Sequence, residues 1–138
     1  MSSLFVDTAG WASLFIPTET YHSAASDYFL EARQAQQKLV TTNYVVSELV
    51  ALLGSRQRTA RSSLFQYVDA IRTAPYVQLI HIDVVTDAAA WDLCKSRPDK
   101  AWSLVDCSSF TVMQQMNLQT ALTTDKHFEQ AGFTRLLV

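Results

Sequence analysis

The chain has 138 residues, of which 49% are hydrophobic, so it is long enough for one domain with a substantial core and too short for two ordinary domains. We therefore predict a single domain over residues 1–138. Its 13 acidic residues against 11 Lys and Arg give a formal net charge of -2, which excludes a basic surface over the whole chain and leaves only a local one for phosphate groups.

Apolar runs and amphipathic segments alternate along the sequence. In chain order, the predicted elements are a strand at 4–7, a helix at 20–37, a strand at 38–42, helices at 43–55 and 59–73, a strand at 77–82, helices at 84–96 and 103–117, and strands at 120–124 and 135–138. The three glycines and three prolines are too few for a turn-rich sandwich or barrel. The alternation predicts an α/β fold with a mostly parallel sheet that is covered on both faces.

Four carboxylates, Asp7, Glu48, Asp106 and Asp125, stand where these elements begin or end. Asp7 and Asp125 follow short apolar strands, and the carboxyl ends of parallel strands share one edge of a sheet. Glu48 and Asp106 lie within helical patterns. If the fold gathers all four, each pair of like charges about 4 Å apart repels by roughly 4 kcal/mol at an effective dielectric of 20. Such a cluster requires a cation, and oxygen ligands favour Mg²⁺ or Mn²⁺.

Each acid also has an ordinary structural interpretation. Asp7 and Asp125 are placed to cap the helices that follow them, and Asp106 stands three residues after Ser103 in a capping-box pattern. Glu48 projects from a partly apolar helix face, where an unpartnered charge is costly. Among the other acids, Asp83 is predicted to cap the next helix.

Other residue types offer weaker signals. The three histidines are widely scattered, so we predict no imidazole ligand and no histidine base: His22, His81 and His127. Two groups of basic residues fit either solvated helix ends or contacts to the substrate: Arg56, Arg58, Arg61 and Arg72, and Lys95, Arg97 and Lys100. Cys94 and Cys107 lack the spacing of a redox pair or a zinc site, and we interpret both as small buried residues in a reducing interior.

The cellular setting follows from the hydrophobic segments. Residues 1–7 lack a basic region followed by a long apolar stretch, so they are not a signal peptide. No apolar run approaches the roughly 20 residues of a membrane-spanning helix. We predict a soluble, cytoplasmic protein that does not bind membranes.

Several enzyme classes are excluded by missing motifs. The sequence has no GxxxxGK[ST] loop, no GxGxxG turn after a strand and no GxSxG elbow, which removes P-loop NTPases, dinucleotide oxidoreductases and common α/β hydrolases. A haloacid-dehalogenase-like phosphatase needs an acid two residues after Asp7, where Ala9 stands.

Four segments, in this order, resemble the PIN-domain nucleases, a family that includes the VapC toxins of bacterial toxin–antitoxin pairs. They are Phe5-Val6-Asp7-Thr8, the segment 41–49 with Glu48, the segment 102–110 with Asp106, and the segment 121–133 with Asp125. The resemblance implies a three-layer α/β/α sandwich on a mostly parallel sheet of about five strands. It also implies a metal-dependent endoribonuclease in which these four acids are catalytic and bind Mg²⁺ or Mn²⁺, with Thr8 and Ser103 as nearby hydroxyl groups.

The resemblance further implies an RNA substrate and an antitoxin partner. The amphipathic helices within 20–37 and 43–73 are candidates for binding an antitoxin segment or for forming a homodimer. Two alternatives stay open at this point. One is a catalytically silent PIN-like module that binds RNA or a protein and uses its acids as helix caps; the other is a receiver-like domain phosphorylated on Asp83.

Overall fold

The computed structural model describes residues 3–138. Their strands and helices follow in the order β1 (Leu4–Val6), α1 (Thr8–Phe15), α2 (His22–Gln34), β2 (Leu39–Thr42), α3 (Asn43–Ser55), α4 (Arg61–Thr73), β3 (Val77–Ile80), α5 (Val84–Ser96), α6 (Leu104–Gln115), β4 (Thr120–Leu122), α7 (Lys126–Gln130) and β5 (Thr134–Arg135).

The five strands form one sheet in the order β3-β2-β1-β4-β5, and all neighbouring pairs are parallel. Every residue of β1 and β2 is buried, so helices cover both faces at the centre of the sheet. The predicted α/β fold with a five-stranded parallel sheet between helical layers is therefore confirmed. Because β1 lies beside β4, the residues that follow these two strands meet at one edge of the sheet.

Helices α6 and α7 are held against the sheet by aromatic contacts. Every residue from Cys107 to Met113 of α6 is buried. The ring of Phe110 meets that of Phe128 edge to face at 4.9 Å, and Phe128 in turn lies 6.2 Å from Phe5 on β1. Since edge-to-face pairs stabilise by about 0.5–1.5 kcal/mol beyond their buried area, these contacts fix the starts of α6 and α7 relative to the central strand.

The structure corrects the ends of several predicted elements. The last strand is Thr134–Arg135 rather than 135–138, because the following backbone leaves the regular ladder. It stays hydrogen-bonded to β4 and the residue after it: Leu136 N donates to Ala121 O, and Leu137 N to Thr123 O, both at 3.1 Å. The third strand ends at Ile80 instead of residue 82, since the Asn43 side chain accepts from Ile82 N at 2.8 Å.

The cysteine prediction is right for Cys107, which is buried, and wrong for Cys94, which is only half-buried with its Sγ 3.5 Å from Ser103 O. The capping predictions are confirmed: Asp83, for example, accepts from Thr86 N at 2.8 Å at the start of α5. Within residues 3–138, none of the helices combines the length and apolar character needed to cross a lipid bilayer.

Candidate active site

Asp7 lies at the carboxyl end of the central strand and caps α1. Its Oδ1 accepts from Gly10 N at 2.9 Å, and its Oδ2 accepts from the Thr123 hydroxyl at 2.7 Å. Burial raises the pKa of Asp7 to about 7; the two hydrogen bonds lower it, and the charges of Asp125 and Asp106 raise it further. Desolvation outweighs both hydrogen bonds, so this carboxylate lacks a compensating positive charge.

Asp106 lies in the first turn of α6, and Asp125 caps the start of α7. Ser103 and Asp106 form the predicted capping box, in which Ser103 Oγ accepts from Asp106 N and Asp106 Oδ2 accepts from Ser103 N, each at 3.0 Å. Asp125 Oδ1 accepts from His127 N at 2.9 Å at the start of α7. Burial, opposed by the Ser103 bond and assisted by the charge of Asp125, raises the pKa of Asp106.

Thr123 connects two of these acids and was missed by the sequence reasoning. Its fully buried hydroxyl donates to Asp7 Oδ2 and accepts from Asp125 N at 2.9 Å. The hydroxyl thereby sets the spacing between the acids that follow β1 and β4. The sequence signal was a hydroxyl residue at the end of an apolar strand, two positions before an acid.

The structure places His127 against two of the predicted acids. The sequence predicted no imidazole ligand and no histidine base, so this contact was not expected. The Nδ1 of His127 lies 3.1 Å from Asp106 Oδ2 and 3.3 Å from Asp125 Oδ1. One possible ligand atom from each of Asp106, Asp125 and His127 falls within 4.8 Å of the others. The wide spacing of the histidines along the chain did not indicate this contact. The Asp-x-His pattern formed by Asp125 and His127 at a helix start is the local signal that could have indicated it.

Glu48 forms the opposite wall of the site from α3. The Thr8 hydroxyl donates to Glu48 Oε1 at 2.5 Å, so this hydroxyl orients a carboxylate. A cavity of about 160 Å³ is lined by all four predicted acids, Asp7, Glu48, Asp106 and Asp125. Folding thus brings together four residues from four separate segments, although Asp7 and Glu48 stand outside the tight group that contains His127.

The donor set fits a divalent cation. Four carboxylates line the cavity, and the imidazole of His127, outside the cavity wall, lies against two of them as a possible nitrogen donor. Burial is the main cause of the raised pKa of Asp7, and the nearby charges of Asp125 and Asp106 raise it by a smaller amount. A cation in this cavity would stabilise the charged carboxylate against both effects.

The comparisons with known proteins agree with this geometry. The family model described as "PIN domain" matches residues 4–134, which is almost the whole chain. This chain belongs to the PIN domain family. The family's nucleases are metal-dependent, as the acidic cavity of this PIN domain also indicates.

Individual relatives sharpen the comparison. The PIN domain described here is 29% identical over 135 residues to "23S rRNA-specific endonuclease VapC20" of Mycobacterium tuberculosis, with 96% of this chain and 97% of that protein covered. The crystal structure of VapC20 from Mycobacterium tuberculosis, described as a sarcin-ricin loop cleaving toxin, superposes with a TM-score of 0.84 at 28% identity over 96% of this chain and 97% of that one. FitAcB from Neisseria gonorrhoeae shares the fold, with a TM-score of 0.66 at 13% identity over 98% of this chain and 96% of that one.

Proposed function

We propose that this PIN domain is an Mg²⁺- or Mn²⁺-dependent endoribonuclease that hydrolyses RNA phosphodiester bonds, and that it is the toxin of a type II toxin–antitoxin pair. The observation that carries the proposal is the single cavity lined by Asp7, Glu48, Asp106 and Asp125. The likeness to VapC20, an rRNA endonuclease by name, supports the reaction class.

Each residue has a distinct proposed role. Asp106, Asp125 and His127 would hold a cation, with Asp7 and Glu48 on the facing wall. When bound, the cation supplies positive charge to a phosphate oxygen and lowers the pKa of the attacking water. The water's proton goes to a carboxylate that is open to solvent; Asp125, with a side chain 31% exposed against 14% for Asp106, suits that role better.

Metal binding should be measurable as stability. At 100 times its dissociation constant, a cation that binds only the folded state adds about 2.7 kcal/mol to the free energy of unfolding. Because His127 contributes a nitrogen donor, we expect Mn²⁺ to raise the melting temperature more than Mg²⁺ at equal concentration. His127→Asn should narrow that difference. Equal melting temperatures in EDTA, Mg²⁺ and Mn²⁺ would show that the acids act only as caps.

The chemistry of the cleaved ends tests the mechanism. Because water attacks phosphorus and the bond to the 3′ oxygen breaks, we expect products with a 3′-hydroxyl and a 5′-phosphate. RNA from a reaction with Mn²⁺ should be sequenced at both ends and compared with a reaction in EDTA. Given the name of the relative, 23S rRNA that contains the sarcin-ricin loop is the first substrate to try. Recovery of 2′,3′-cyclic phosphate ends would reject attack by water.

The silent-module alternative retains one observation in its favour. Asp7, Asp106 and Asp125 do serve as helix caps or as a capping-box partner, as that alternative requires. It predicts RNA binding without cleavage under every metal condition. Cleavage that needs Mn²⁺ or Mg²⁺ and stops with EDTA decides against it.

The proposed antitoxin partner has a candidate surface away from the acids. An apolar cavity of about 310 Å³ between α1, α2, α4 and β3 is bordered by Leu30, whose side chain is 56% exposed. Growth arrest on expression, relieved by the product of a neighbouring gene, would support the toxin role. Self-association into a homodimer stays a prediction, for which light scattering of the purified protein is the measurement.

A further inference from the structure

A second cavity adjoins the acidic one. It has a volume of about 390 Å³ and shares Ala9 and Leu52 with the wall of the acidic cavity. Thr124, which directly precedes Asp125, also lines it. We call it the flanking cavity. The two cavities adjoin at Ala9 and Leu52, and we call the surface that they line together along α3 the groove. RNA with its cleaved phosphate at the acids would have the flanking cavity next to it.

Arg56 supplies a positive charge at the far end of this groove. Glu48, Leu52 and Arg56 are spaced by four residues, so they lie along one face of α3. At a rise of 1.5 Å per residue, Arg56 is about 12 Å from Glu48 along the helix axis. That separation keeps the guanidinium away from the metal-binding carboxylates while leaving it within the same groove.

The guanidinium of Arg56 is available to an anion. Arg56 is exposed, and no hydrogen bond, ion pair or ring contact engages its side chain within residues 3–138. The acid in the cavity lining, Glu19, accepts from Gln57 Nε2 at 2.8 Å rather than from Arg56. Arg56 also lies at the C-terminal end of α3, where its positive charge interacts favourably with the helix dipole. That role leaves all five N–H donors of the guanidinium free for a phosphate.

The remaining lining suits a nucleoside. Tyr21, half-buried at the start of α2, contributes an aromatic ring. Thr20 and Ser13 line the same cavity and carry hydroxyl groups. A cation beside an aromatic ring is the combination that single-stranded nucleic-acid sites use, since phosphates need charge and bases need a stacking surface.

We propose that the flanking cavity binds a nucleotide of single-stranded RNA next to the cleaved bond, with Arg56 paired to its phosphate and Tyr21 stacked on its base. This inference rests on the proposed endoribonuclease function. It assigns Arg56 a role in substrate binding that leaves the chemical step unchanged.

Binding is measured with a fluorescent RNA oligonucleotide in EDTA, where cleavage is absent, over a range of salt concentrations. We expect Arg56→Gln to weaken binding about tenfold and to reduce the slope of log affinity against log salt by about 0.7, the value for one phosphate contact on a single strand. Arg56→Lys should restore the slope. Arg72→Gln is the matched control, since Arg72 is an exposed arginine in the last turn of α4, near the amino end of β3, whereas the acids lie at the carboxyl ends of the parallel strands.

Tyr21 and substrate length provide independent tests. Tyr21→Leu should weaken binding while Tyr21→Phe should not, since only the former removes the ring. Shortening the oligonucleotide by the flanking nucleotide should cost wild type about tenfold in affinity and cost Arg56→Gln almost nothing. In cleavage, Arg56→Gln should raise KM with kcat nearly unchanged.

The outcomes separate the two proposals. If Arg56→Gln matches Arg72→Gln in affinity, salt slope and length dependence, the flanking cavity does not bind RNA and the inference is overturned. Suppose that Arg56→Gln binds RNA more weakly and with a smaller salt slope, but that neither wild type nor any variant cleaves RNA with Mn²⁺. The binding inference then stands and the nuclease proposal fails. If wild type binds no RNA, the inference is overturned as well.

Discussion

Asp7→Asn is expected to reduce RNA cleavage by about 10²–10³-fold or more, while making the metal-free protein more stable. The loss of activity follows because the amide removes one of the negative charges that hold the cation and its field at the phosphate. The fold should survive, because the amide oxygen still accepts from Gly10 N and the Thr123 hydroxyl can rotate to accept from the amide N–H.

The gain in stability follows from the raised pKa of Asp7. Its pKa is about 7 in the folded protein against 3.8 for an ordinary aspartate, so the folded state holds a proton that the unfolded chain has released. The corresponding stability is fully present below pH 3.8 and is lost as the pH rises through 7, a difference of about 4 kcal/mol. The asparagine side chain does not titrate in this range, so the stability of Asp7→Asn should not fall in this way as the pH rises.

Chemical denaturation in EDTA at pH 5 and pH 8 measures the effect. Wild type should lose stability between the two values, and Asp7→Asn should lose much less and exceed wild type at pH 8. Asp83→Asn is the matched control: it changes an exposed capping acid outside the site, so cleavage and its metal requirement should stay as in wild type. Retention of cleavage by pure Asp7→Asn, or lower stability than wild type at pH 8, would contradict the proposed role of Asp7.

Gly10→Ala should destabilise the protein by about 3 kcal/mol or more. A Cβ at Gly10 would lie 2.0 Å from Leu122 O and 2.9 Å from Val6 Cγ1. The first contact is with backbone, so α1 or β4 has to move. Thr123 follows Leu122 directly, and its hydroxyl links Asp7 to Asp125; we therefore expect metal-dependent stabilisation to fall together with global stability.

Gly54→Ala is the matched comparison for Gly10→Ala. It also adds a Cβ inside a helix, but no neighbouring atom crowds that Cβ. A Cβ there meets only Leu64 Cδ1 at 3.8 Å, an ordinary van der Waals contact. Because alanine favours the helical backbone, we expect a gain of about 0.5–1 kcal/mol in the free energy of unfolding. Urea denaturation of both variants tests the pair, and a Gly10→Ala protein as stable as Gly54→Ala would refute the close packing of α1 on β4.

Much of this site could be predicted from local sequence. Asp7 and Asp125 were expected at one sheet edge because parallel strands direct their carboxyl ends the same way. The capping roles of Asp106 and Asp83 were expected from side chains within three residues of the groups that they cap. Such contacts are local, so the order of residues alone determines them.

The contacts that complete the site depend on tertiary structure. The bond from Thr123 to Asp7 joins residues 116 positions apart and exists only because β4 pairs with β1. His127 meets Asp106 only because the packing of Phe110 on Phe128 brings the starts of α6 and α7 together. The sequence by itself determined which acids follow a strand or cap a helix, since both are local properties. The tertiary structure decided how far apart the acids lie, that His127 lies against two of them, and that the groove extends towards Arg56. All three depend on strand order and helix packing, which depend on the whole core.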